Sequence, residues 1–236
     1  MNTTFYWLAL PAVVMFLGGV LTFFWRPARA TIGLVQHLAA GMILAALMIE
    51  VFPTMQRTHV AQGQLILSFL GGVLLMYGVK LTGGFLERGN ADRSATSQHN
   101  YGLIITVFID AALDGLTIGT GFAAGQKVGL ALALGLSVEM LFLAMSLISE
   151  TIKGVRMLVL SSLFSVTIFA TAMVGYRLLA VASGEIISIT LAFSTAALIY
   201  LVTDELLVEA HEHEEKPYAM LVLFAGFIGF WAISLI

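Results

Sequence analysis

Three carboxylates carry the first indication of chemistry: Asp110, Asp114 and Glu139, each near the middle of a long apolar run. An ionised carboxylate at the centre of a bilayer costs roughly 2.5–3.5 kcal/mol on insertion scales, so such a residue is kept for a reason. Asp110 and Asp114 are four apart, which on a helix places both on one face, about 6 Å apart along the axis. Two like charges so placed repel unless a cation sits between them or one is protonated. The next apolar run returns antiparallel after Gly125-Gln126-Lys127, and Glu139 lies about half-way along it, at a comparable depth. Three carboxylates can therefore converge, with no Lys or Arg close in sequence to neutralise them. Carboxylate oxygens are ligands for hard divalent cations. Two other readings stand beside a metal site: a protonated carboxyl that only makes hydrogen bonds, and a proton relay.

The elements that must position these residues follow from composition. The chain has 236 residues, 59% of them hydrophobic and 11% charged. That leaves too little charge to cover a soluble domain, whereas apolar stretches of about 20 residues span a bilayer. The sequence divides into about eight such stretches, near residues 5–25, 31–52, 65–85, 101–122, 128–149, 157–180, 186–206 and 218–236. The expectation is one all-α transmembrane domain over residues 1–236, with a polar cytoplasmic linker at 87–100 and the second helix stopping at Pro53. The first run lacks a basic segment before it, since Arg26 and Arg29 follow it, and reads as a retained helix. Absence of cysteine excludes disulfides and thiolate metal sites. A net charge of −3 gives no footing for nucleic acid, so the expected partners are the lipid bilayer and a small ion.

Lys and Arg set the expected orientation. Arg26, Arg29, Arg88, Arg93, Lys153, Arg156 and Lys216 follow the odd-numbered helices, with Lys80 near the end of the third. The other side holds Arg57 and Lys127, with Arg177 near the end of the sixth helix. The first set should be cytoplasmic, which places both termini outside a cell membrane crossed many times.

At the level of motifs the chain resembles the ZIP (Zrt/Irt-like protein) family of divalent metal transporters. Asp110-Ala111-Ala112-Leu113-Asp114-Gly115 stands where that family has H-N-x-P-E-G on its fourth helix. LALALGLSV (Leu130 to Val138) leads into Glu139-Met140-Leu141-Phe142-Leu143-Ala144, where the family has H-E-x-P-E-G. Glu50-Val51-Phe52-Pro53 resembles its acidic-x-x-Pro ending, and Tyr200 to Ala210 resembles Y-x-x-x-x-E-L-x-P-E-A. The resemblance implies the family bundle, with the first three and last three helices as inverted repeats around the fourth and fifth, and a homodimer as the assembly. It also implies zinc as substrate and a ligand set at Asp110, Asp114 and Glu139. The departures alter that ligand set. Carboxylates replace both motif histidines, Ala111 replaces Asn, Met140 and Leu143 replace Glu, and Leu113 and Phe142 replace Pro. A further ligand position falls near Ser165. Loss of imidazole moves the preference from zinc towards Mn²⁺, Fe²⁺ or Mg²⁺, and loss of two ligands on the fifth helix points to one metal site.

Further candidates lie along the same path. Met42 offers a thioether but reads first as packing. His37 reads as a polar group near the membrane surface. Glu50 would attract cations at the entrance. Asp204, Glu205, Glu209, His211 and His213 form either a solvated acidic linker or an exit site. Gly115, Gly119 and Gly121 read as close helix packing or as room for an ion path. Thr106, Thr117 and Ser137 offer hydroxyls that ordinarily bond their own backbone.

The expected function is divalent-cation transport towards the cytoplasm by alternating access. The alternative is a relative that no longer transports metal, either a metal sensor or a proton-coupled carrier of another solute. Enzyme activity is not expected. Intramembrane aspartyl proteases need aspartates on separate helices with a G-x-G-D type motif, and here the pair shares one helix.

Overall fold

The computed structural model describes residues 2–25, 28–57, 60–91, 101–151, 155–207 and 218–235. The described elements are helical: α1 (Asn2–Phe24), α2 (Arg29–Ala46), α3 (Gln62–Ala91), α4 (Tyr101–Ala124), α5 (Gln126–Thr151), α6 (Val155–Leu179), α7 (Gly184–Leu201) and α8 (Ala219–Ser234). Among the described residues, seven helices are long and apolar enough to cross a membrane. The last, α8, has 16 residues and is shorter than the others. Large apolar side chains such as Leu67, Leu221 and Leu178 point outwards, which is tolerable only against lipid. The protein is an all-α, multi-pass membrane protein.

Two expectations about helix ends change. The second helix does not stop at Pro53. It passes through a π turn, Leu47–Val51, into Phe52–Gln56. Proline has no N–H to give to the carbonyl four residues back. The backbone shifts register just before it, and the Phe52 N–H reaches Leu47 O, five residues back. The Thr54 hydroxyl then donates to Glu50 O at 2.7 Å. A second π turn, Val202–Leu206, ends α7, where the Leu207 N–H reaches Val202 O. The third helix also runs on to Ala91, so the first part of the expected 87–100 linker is helical, and the rest lies outside the described residues.

Packing divides the helices into two groups. In one, α4 lies along α6, α5 along α1, α1 along α6, and α4 along α5. In the other, α2 pairs with α8 and α3 with α7. Contacts of α5 with α2, and of α4 with α3 and α7, join the groups. Small residues set the close approaches. A methyl group at Gly115 would overlap Ile168 O and Thr171 Oγ1, and one at Gly119 would overlap Ala172 O. The packing role of these glycines in α4 is therefore met on α6. Gly121 faces Leu132 and Gly129 of α5. Between α3 and α7, Gly72 faces Phe193 O, and the Ser68 hydroxyl donates to Ile189 O at 2.7 Å. Between α6 and α1, the Ser161 hydroxyl donates to Met15 O at 3.0 Å. In each case a side chain no larger than Ser lets the backbones come close enough for dispersion and hydrogen bonding to hold helices that lipid would otherwise solvate equally well.

Candidate metal centre

One residue, Gly125, separates α4 from α5, and its φ of 158° is a backbone conformation that favours glycine. This tight reversal fixes the relative depth of the two helices. At 1.5 Å per residue, Asp110 stands about 22 Å from the turn on one arm and Glu139 about 21 Å on the other. Asp114 is one turn nearer. The lateral approach of α4 and α5, made close by Gly121 and Gly129, completes the meeting. One ligand oxygen each from Asp110, Asp114 and Glu139 lies within 4.8 Å of the others. The three residues are buried, at 6%, 2% and 1% exposure.

All three residues take part in polar or electrostatic interactions. Within them, Asp114 Oδ2 and Glu139 Oε2 are buried oxygens that accept no hydrogen bond from the described residues. α4 carries no Lys or Arg, and α5 carries only Lys127, in its first turn. Oxygen atoms with such spacing, all from carboxylates, form a donor set of the kind that hard divalent cations take.

The hydroxyls near this cluster are turned to their own helices. Thr117 donates to Leu113 O at 2.8 Å, Ser137 to Ala133 O at 2.5 Å, and Ser165 to Ser161 O at 2.8 Å. Their hydrogens are thus committed, as is usual for such residues in membrane helices. Met140, in place of a motif glutamate, is fully buried in the apolar core.

The remaining candidates lie elsewhere. Met42 packs with Ala45, Ala46, Ala131 and Phe230, an apolar setting. Glu50 is half-buried within the π turn that ends α2. His37, in the first half of α2, is buried among the helices at 2% exposure, and its Nδ1–H donates to Gly33 O at 2.8 Å. That bond to the preceding turn lets the ring stay inside the bundle. Asp204 lies in the π turn of α7 and accepts both contacts from Lys80 Nζ of α3, at 2.6 Å to each oxygen. Sequence gave no signal for this pair, since the partners are 124 residues apart. The Glu205 side chain lies outside the described residues, as do Glu209, His211 and His213.

No protein-family model matches the sequence, and no curated relative matches it. The class that fold and site define is an all-α, multi-pass membrane protein with a buried three-carboxylate cluster at mid-length of two adjacent helices.

Proposed function

We propose that this protein is a divalent-cation transporter of the ZIP type, which carries metal towards the cytoplasm through the cluster of Asp110, Asp114 and Glu139. The observation that carries the reading is the convergence of these three buried carboxylates within 4.8 Å. Three negative charges at that spacing repel strongly in a medium of low dielectric, and a divalent cation offsets that repulsion. Carboxylates alone favour a hard ion, so Mn²⁺ and Fe²⁺ stand ahead of Zn²⁺ as the substrate.

Alternating access requires helices that move as groups. The division of the bundle supports such movement, because the cluster lies wholly on α4 and α5, within one group. In this reading α8 is the eighth span. Its 16 residues cover about 24 Å, and local thinning of the bilayer accommodates the difference. The pairings α4 with α6 and α5 with α1, and again α2 with α8 and α7 with α3, are those expected of inverted repeats around α4 and α5.

The test is uptake into proteoliposomes from a panel of Zn²⁺, Mn²⁺, Fe²⁺, Co²⁺, Cd²⁺ and Mg²⁺, with Asp114→Asn and Asp110→Ala alongside. Uptake of at least one ion, sharply reduced in both variants, is expected. Equal uptake by native protein and Asp114→Asn would remove the site from the mechanism. Metal bound in detergent with no flux of any ion would mean a sensor rather than a transporter.

A further inference from the structure

A cavity of about 240 Å³ lies between α4, α6 and α7; its lining includes Leu113 and Thr117 of α4, next to Asp114 and about one turn beyond it, but none of the three carboxylates. Thr117 and Thr120 form part of its wall on α4, Leu178 on α6, and Thr190 and Ala197 on α7. The wall carries the hydroxyls of Thr117, Thr120, Thr190 and Ser194, and the three threonines have their hydrogens committed to their own helices. Thr117 donates to Leu113 O, Thr120 to Leu116 O and Thr190 to Ile186 O, each at 2.8 Å. Leu113, Leu116, Leu178, Leu179, Phe193 and Ala197 make up most of the rest, so the wall is largely apolar. A water molecule needs two to four polar partners, and cavities without them stay dry; one of about 150 Å³ holds benzene. This cavity is larger.

Its rim is exposed. Leu116 and Leu178 both line it, and they are 37% and 67% exposed on the apolar outer surface. Thr117 and Thr120, at 4% and 1%, lie inside. The opening therefore gives onto the lipid-facing surface near the end of α6, where Arg177 stands, so that an acyl chain would enter from close beneath the head groups.

We propose that this cavity binds one acyl chain of a bilayer lipid, entering between Leu116 and Leu178. An acyl chain matches the wall in polarity, needs no hydrogen-bond donor, and is the molecule present at the opening. Its methylenes gain contacts that a dry void of this size forfeits. Once in place it separates α7 from α4 and α6, at a junction between the two helix groups. The proposal stands apart from the metal-transport reading.

The test uses the full chain in phosphatidylcholine vesicles that contain a lipid with a photoactivatable diazirine in one acyl chain. After illumination, labelled positions are mapped by mass spectrometry. Labels on the buried Thr117 or Thr120 are expected, together with labels on Leu116 and Leu178. Ala197→Phe and, separately, Thr190→Leu fill the cavity and should lower the inner labels several-fold, while Leu221 of α8 stays labelled as before. Either variant that remains monodisperse after purification suffices for that comparison. Labels confined to outer residues such as Leu178 and Leu221 overturn the proposal, as do inner labels that neither filled variant reduces.

Discussion

Asp114 of α4 and Glu139 of α5 present buried carboxylate oxygens within 4.8 Å of each other, across a helix pair closed by a single glycine. The relationship joins two elements that are adjacent in sequence but independent in side-chain direction. It makes each residue's contribution depend on the other, and this can be measured.

Glu139→Gln removes one charge and little volume. Without metal, the variant should be at least as stable as the native chain, since a like-charge repulsion is relieved. With Mn²⁺ at about 100 times its dissociation constant, the native protein should gain about 2.7 kcal/mol. The variant should gain much less. Thermal unfolding in detergent with and without Mn²⁺ reads both effects, and equal Mn²⁺ stabilisation of the two proteins would exclude Glu139 as a ligand.

Ligation requires deprotonated carboxylates, so metal and protons compete for the site. Mn²⁺ affinity, followed by electron paramagnetic resonance of the free ion, should fall as the pH is lowered towards the carboxylate range, about pH 4. The sign follows from mass action: a higher proton concentration favours the metal-free form. Affinity that does not fall even as the pH approaches about 4 would count against carboxylate ligands.

Gly119 sits against backbone atoms of α6, where Ala172 O and Tyr176 N leave no room for a side chain. Gly119→Val should destabilise the bundle by about 1–3 kcal/mol or more, because backbone cannot retreat as a flexible side chain can. Gly229→Ala on α8 is the control, since nothing lies within 4 Å of the added carbon. Denaturation in mixed micelles compares them, and a Gly119→Val cost no larger than that of Gly229→Ala would contradict the packing.

Lys80 and Asp204 are 55% and 27% exposed at their side chains, despite the short contacts. Exposed pairs contribute about 0–1 kcal/mol. Lys80→Met should therefore cost less than about 1 kcal/mol, and the difference should shrink in high salt. A larger cost, insensitive to salt, would mean that the pair is shielded from solvent.

The sequence by itself determined the membrane class, because the length and apolarity of each run are local properties. It also determined that Asp110 and Asp114 share a face, because helical periodicity fixes side-chain direction over four residues. Glu139 was legible as level with them only because the turn before α5 is short. Tertiary structure decided what periodicity cannot reach. It set which face of α5 meets α4, and therefore whether the third carboxylate closes the cluster. It paired Lys80 with Asp204 across two helices far apart in the chain, and it turned His37 towards the neighbouring helices. It carried α2 beyond Pro53 through a π turn, since a helix held by its neighbours can absorb a missing hydrogen bond that an isolated one would not. The physical division is one of range: burial in lipid and helical spacing act along the chain, whereas the meeting of side chains depends on how small residues let separate helices approach.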